Sequence, residues 1–197
     1  MLALSFFYVR MFQVIYKLLL NCCCAPCSVS CVRSLRDEGI EPQLFWYNPN
    51  IHLYTEYKSR RDCLTGFANN ENLKLTLIDE YGLRLFLNAV FPEIENRCLK
   101  CYSLRLEKAA SFAAQEGYSA LSTSLLISPY QDHDAIKHAG EEIAVKYGVE
   151  FLYRDFRPLF REGQAKARSA GMYMQKYCGC IFSEEERYQH RGIITLV

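Results

Sequence analysis

The chain has 197 residues, half of them apolar and 14% aromatic, enough to bury the core of one domain. A charged fraction of 23% excludes a disordered chain, and a net charge of +1 excludes a generally basic nucleic-acid coat. No stretch reaches the about 18 uninterrupted apolar residues of a membrane helix; the nearest, residues 1–20, is interrupted by Arg10 and Lys17.

The N-terminal end has neither a basic start nor a small-residue cleavage site, so a soluble cytoplasmic protein is expected, with Met1 or Met11 as its start. Residues 14–20 read as a buried strand and 28–38 as a helix, with Ser28 as N-cap and Gly39 just past its end. A strand at 43–47 runs into the turn Asn48-Pro49-Asn50, and 52–71 is polar and helical. A third strand is expected at 73–78, then an apolar helix at 83–91 stopped near Pro92. Residues 98–116 form the clearest helix, with Leu104, Ala109, Phe112 and Ala113 roughly on one face and Gly117 at its end. An extended stretch at 118–127, a helix at 132–147 ended by Gly148, a strand at 149–153 and short helices at 162–171 and 183–189 complete the chain.

Strands alternating with helices imply an α/β fold, a mainly parallel Rossmann-like sheet flanked by helices. One catalytic domain is expected over 17–190, with 1–16 as extension or strand lead-in and 191–197 as tail. In such sheets ligands bind past the carboxyl ends of the strands. The first cysteine group, the segment 124–133 and Asp155-Phe156-Arg157 all fall at such ends. The first strand–helix turn carries no glycine, and neither G-x-x-x-x-G-K-[ST] nor G-x-G-x-x-G occurs, which disfavours nucleotide hydrolysis.

Ten cysteines dominate the chemistry. Without a secretion signal, metal binding or thiol chemistry is the better reading than a disulfide framework. Three groups have short spacings: Cys23-Cys24-Ala25-Pro26-Cys27, Cys98-Leu99-Lys100-Cys101 and Cys178-Gly179-Cys180. Soft thiolates select zinc, copper(I) or iron–sulfur clusters, and spacing alone does not choose between them. Cys22, Cys31 and Cys63 read as buried bystanders. Two local basic patches stand out, the run 58–61 and residues 150–177, where six Lys/Arg face three acids.

These motifs resemble the QueH family of epoxyqueuosine reductases. The stretches that carry the resemblance are Cys23 to Ser28, Tyr47 to His52, Cys98-x-x-Cys101-Tyr102-x-Leu104-Arg105-Leu106, Thr123 to Gln131, Tyr153 to Arg157 and Gln175 to Ser183, spanning about 17–187. One position departs: Asn21 stands where many members carry histidine. The resemblance implies a fold similar to adenine-nucleotide α-hydrolases (HUP folds). It implies reduction of the epoxide of epoxyqueuosine, at the wobble base of tRNA, to queuosine. The implied cofactor is a [4Fe–4S] cluster on Cys23, Cys24, Cys98 and Cys101, with an additional iron neighboured by Cys27 and the C-x-C pair. Cys178 and Cys180 are implied as the redox-active pair.

Deoxygenating an epoxide to an alkene takes two electrons and two protons and releases water. A vicinal dithiol supplies two electrons when it closes to a disulfide, whereas a second iron would act as Lewis acid on the epoxide oxygen. The two roles compete for the same thiols. Asp132, His133, Asp155 and Tyr130 are candidate proton donors by position. Tyr47, His52, Tyr54, Tyr130 and Tyr173 are candidates for stacking on RNA bases, and Arg154, Arg157, Arg161 and Lys176 for phosphate contacts. An electron donor is required that the sequence does not identify. Two alternatives use the same cysteines: a structural zinc module, and a general thiol–disulfide oxidoreductase built on Cys178 and Cys180.

Overall fold

A computed structural model of the chain describes residues 16–189; the expected start of the first strand, the N-terminal extension to residue 15 and the tail from 190 lie outside the described residues. Five parallel strands form one sheet in the order β3-β2-β1-β4-β5. They are β1 (Leu18–Asn21), β2 (Pro42–Trp46), β3 (Leu75–Leu77), β4 (Ala120–Thr123) and β5 (Glu150–Phe151). Central β1 is wholly buried between β2 and β4, with Leu18 paired to Pro42 and to Ala120. Strands buried on both faces read as continuous apolar runs, which is why Leu18-Leu19-Leu20 is legible as a strand. Each of those leucines contributes about 1.5–3 kcal/mol by burial.

The helices are α1 (Ala25–Asp37), α2 (Tyr54–Asn70), α3 (Leu83–Val90), α4 (Arg97–Gln115), α5 (His133–Tyr147), α6 (Phe160–Ser169) and α7 (Ile181–Gln189). Right-handed crossovers put the helix after β1 on one face of the sheet and the helices flanking β4 on the other, because the strand order reverses between β1 and β4. Accordingly α1 packs on α6, and α4 packs on α5. The reversal opens a crevice past the carboxyl ends of β1 and β4, the position at which sheets of this kind bind ligands.

Local differences from the sequence reading have physical reasons. Helix α1 begins at Ala25 rather than at Ser28, because Pro26 at its second position has φ preset for a first turn. Cys24 is the N-cap, and the Ser28 hydroxyl turns inward to donate to the Cys24 carbonyl at 2.8 Å. The stretch 118–127 is not extended throughout: β4 stops at Thr123, whose hydroxyl accepts from the Leu125 N–H, and Ser124–Ile127 is a 3-10 turn. Among the described residues no helix is long and apolar enough to cross a membrane.

Candidate functional site

The chain leaves β1 at Asn21 and enters α1 at Ala25, so Cys23 and Cys24 sit in the crevice and Cys27 lies on the first helical turn. All three are buried, and their sulfurs lie within 4.8 Å of one another, with 3.7 Å between Cys23 and Cys24. Across the crevice, Ser124 at the end of β4 accepts from the Cys23 N–H at 3.0 Å and donates to its sulfur at 3.4 Å. Gln175 donates to the Cys27 sulfur at 3.1 Å.

This environment favours charge on Cys23. Hydrogen bonds from Cys24 and Cys27, with the nearby Arg105 guanidinium, hold its thiol well below the ordinary range despite burial. Burial pushes Cys24 up, and the hydrogen bond with Cys23 pushes Cys27 up. The N-terminal end of α1 adds a positive dipole at the same place.

Arg105 is 1% exposed and, among the described residues, forms no ion pair with a carboxylate. Its Nη2 donates to Asn21 Oδ1 at 3.1 Å, while its Nε and Asn21 Nδ2 are buried without a partner. A buried cation without a carboxylate requires another anion, and the Cys23 thiol, which this site favours in its charged form, lies within its electrostatic reach. This donor set fits a thiolate-bound metal: three soft ligands, out of water, beside a fixed positive charge.

The other cysteines form a second group. Cys98 and Cys101 lie one turn apart at the start of α4, and Cys178 and Cys180 flank Gly179 just before α7. Charge on Cys178 acts on Cys98, Cys101 and Cys180 alike; burial raises Cys101 and Cys180, the latter to about 11, and the partial burial of its sulfur raises Cys98. Cys101 and Cys180 share a small apolar cluster with Phe86 and Val90, while Cys98 and Cys178 are exposed. Arg105 acts on both Cys23 and Cys101 and so stands between the two groups. The sulfur of Cys178 accepts from Gln131 at 3.7 Å, and Gln131 accepts from the Tyr102 hydroxyl at 3.0 Å.

The loop carrying Cys178 and Cys180 is held from below by Arg60, which is also 1% exposed. Its guanidinium donates to the carbonyls of Tyr177 and Cys178, both at 2.9 Å, and pairs with Glu56. The backbone N–H of His52 donates to the Gly179 carbonyl at 2.8 Å, and the Tyr177 hydroxyl donates to the His52 carbonyl. Gly179 has φ +126°, and a Cβ there would stand 3.1 Å from both Arg60 Nη1 and Ile51 Cγ1, so only glycine fits.

The remaining candidates fare unevenly. Asp132 caps α5, accepting from the Ala135 N–H at 3.0 Å, and its charge reaches Cys98. His133 is buried with Nε2 at 3.1 Å from the Ser128 carbonyl and a partnerless Nδ1. Asp155 is bound by Arg157 at 2.7 and 2.8 Å, which pulls it down to about 2; at neutral pH it is a carboxylate with no proton to give. Tyr130 is 84% exposed, edge-on to Phe160. Tyr47 and His52, expected on loops for stacking, are instead buried, whereas Tyr54 and Tyr173 are exposed. The basic patches are largely neutralised: Arg154 by Glu38, Arg157 by Asp155, Lys58 by Asp62, Arg60 by Glu56, and Arg61 by Asp62 and Asp79. Arg161 and Lys176 remain exposed, in no ion pair among the described residues.

Arg60 and Arg105 are central residues that reading of the chain did not single out. The available signal for Arg105 was its place four residues after Cys101, on the same helix face. Arg60 carried none, since it looked like one member of a solvated basic run.

A family model described as Epoxyqueuosine reductase QueH matches residues 18–186. The chain belongs to the epoxyqueuosine reductase QueH family. A relative from Dehalococcoides mccartyi with that name is 34% identical over 172 residues, covering 87% of this chain and 94% of the relative. Another, from Thermotoga maritima, is 35% identical over 187 residues, covering 90% and 95%. The chain is therefore an enzyme, an oxidoreductase. Among solved structures, a predicted subunit of a tRNA methyltransferase from Methanocaldococcus jannaschii shares the fold, with a TM-score of 0.51 at 14% identity over 78% of this chain and 76% of that one.

Proposed function

We propose that the enzyme reduces the epoxide of epoxyqueuosine in tRNA to the alkene of queuosine, releasing water. The observation that carries this reading is the buried group Cys23, Cys24 and Cys27 in the crevice of a chain matched by the family from end to end of its sheet. The catalytic domain is residues 17–190. A [4Fe–4S] cluster, when bound, supplies low-potential electrons one at a time. Cys23 and Cys24 would hold it from the turn between β1 and α1, and Cys98 and Cys101 from α4, with Arg105 balancing part of the thiolate charge. Cys27 would neighbour an additional iron.

Cys178 and Cys180 complete the electron count. Closing them to a disulfide releases two electrons and two protons, the number that converts an epoxide to an alkene and water. An external donor then reopens the disulfide. Burial keeps Cys180 protonated at neutral pH, so it holds a proton as well as an electron. Asp155 is unsuited to give a proton, while Asp132 beside Cys98 and His133 retain the position for proton transfer.

The 3.7 Å separation of the Cys23 and Cys24 sulfurs favours a second reading. It is close to the edge of about 3.8 Å set for one tetrahedral metal by Zn–S bonds of about 2.3 Å, so a single ion on Cys23, Cys24 and Cys27 is the alternative. Anaerobic reconstitution with iron and sulfide, followed by metal and sulfide analysis, separates the two. About four irons and four sulfides per chain support the cluster; one metal without sulfide supports the ion. Reduced protein is then given tRNA bearing epoxyqueuosine, and queuosine is sought by nucleoside mass spectrometry. Product formation abolished in Cys98→Ala is expected; a loaded, reducible protein that makes no queuosine would overturn the function.

A further inference from the structure

Beside the Cys-Gly-Cys loop lies a polar cavity of about 230 Å³ that the reduction chemistry does not use. Its walls include Tyr173 and Tyr177, with Leu53 at its side and the charged groups Lys176, Glu56 and Glu184 around it. We infer that this cavity binds one nucleotide of the substrate's single-stranded loop, next to the modified one, with its base against Tyr173 and its phosphate on Lys176. The inference rests on the proposed action on tRNA.

The walls are set in advance. The Tyr173 hydroxyl donates to Glu56, and Glu56 is locked by the buried Arg60. Tyr177 lies 5.5 Å under the same guanidinium and donates to the His52 carbonyl. Aromatic rings already fixed in place bind at a low entropic cost. Lys176 and Glu184, in contrast, form no ion pair among the described residues, although most other charges nearby are matched. An unmatched ammonium beside aromatic walls is the arrangement that single-stranded nucleic acid requires: a cation for the phosphate and a π face for the base. The Glu184 carboxylate accepts from N–H donors on a base edge, which makes the subsite selective.

Position argues for a flanking nucleotide rather than the modified one. Tyr177 directly precedes Cys178, and the Glu184 N–H donates to the Cys180 carbonyl at 3.1 Å. The two sulfurs face elsewhere, Cys178 toward Gln131 and Cys180 into the cluster with Phe86 and Cys101. A nucleotide in the cavity thus anchors the strand while its neighbour crosses the loop to the thiols.

The test uses a fluorescein-labelled anticodon stem-loop RNA and anisotropy, with an abasic site placed at each loop position in turn. For the wild-type protein one position flanking the modified nucleotide is expected to lose about tenfold in affinity, the scale of one stacked base. Tyr173→Ala is expected to bind the intact RNA about tenfold more weakly and to lose that positional penalty. Tyr173→Phe, which keeps the ring and gives up the contact with Glu56, is expected to retain it. Lys176→Met is expected to lower the slope of log affinity against log salt by about one. A penalty unchanged in Tyr173→Ala, with an unchanged salt slope in Lys176→Met, would overturn the assignment. If the wild-type protein makes queuosine in that case, only the cavity assignment falls; if it binds no RNA and makes no queuosine, the action on tRNA falls first.

Discussion

Removing the Arg60 guanidinium should destabilise the fold and free the thiol-bearing loop. In Arg60→Met the side chain becomes apolar at similar length, and Glu56, 11% exposed, keeps the Tyr173 hydroxyl but loses its ion pair at 2.6 Å. The carbonyls of Tyr177 and Cys178 each lose a charged donor at 2.9 Å. Breaking a buried ion pair by removing one partner costs about 3–5 kcal/mol. For a chain of this size each kcal/mol moves Tm by roughly 2–4 °C, so a fall of roughly 6–20 °C is expected. The assay is thermal and urea unfolding of reduced protein, with Glu56→Gln and the double variant closing a cycle. Native-state hydrogen exchange supplies the local readout: the His52 amide, bonded to the Gly179 carbonyl, should exchange faster in Arg60→Met than in other variants of equal stability. Arg60→Lys should recover less than half of the loss, because one ammonium cannot span a carboxylate and two carbonyls as the planar fork does. A loss below about 1 kcal/mol, or full recovery by lysine, would refute the clamp.

Two further outcomes follow from the packing. Burial lowers His52 to about 4 from its ordinary 6.5. The folded state therefore resists the proton that the unfolded state accepts, and stability should fall as pH drops from about 6.5 to about 4, by about 3 kcal/mol in all. His52→Phe, placed between the rings of Tyr81 and Phe86, should flatten that part of the stability profile measured by urea unfolding; an unaltered slope would show that another group is responsible. Gly140 in α5 meets the Phe151 ring, where a Cβ would approach to 2.5 Å. Alanine gains up to about 1 kcal/mol of helix propensity but overpacks at about 1–3 kcal/mol. Gly140→Ala should thus lower Tm, and Phe151→Leu should relieve it; a raised Tm in the single variant would contradict the close approach.

Much of this protein is local, and what is local was legible. Hydrophobic runs such as Leu18-Leu19-Leu20 mark strands because a parallel sheet buries both faces. The short spacings of Cys23, Cys24 and Cys27, and of Cys98 and Cys101, mark thiol chemistry because a metal gathers ligands from adjacent turns. The order of those motifs along the chain carried the family. What tertiary structure alone decided depends on residues far apart in sequence. Strand order places β4 beside β1, and so Ser124 beside Cys23, 101 positions earlier. The pairing of Arg154 with Glu38, across 116 positions, turned an expected phosphate contact into a neutral pair. Burial separated residues given the same expected role: Tyr47 and His52 went inside, while Tyr54 and Tyr173 stayed out. Arg60, one cation in a polar run, proved to be the support of the Cys178–Cys180 loop. Periodicity reports which face of an element is apolar; it carries no information about which distant group will be brought against it, and in this protein Arg105 and Ser124 add from a distance to what the neighbouring cysteines do to Cys23.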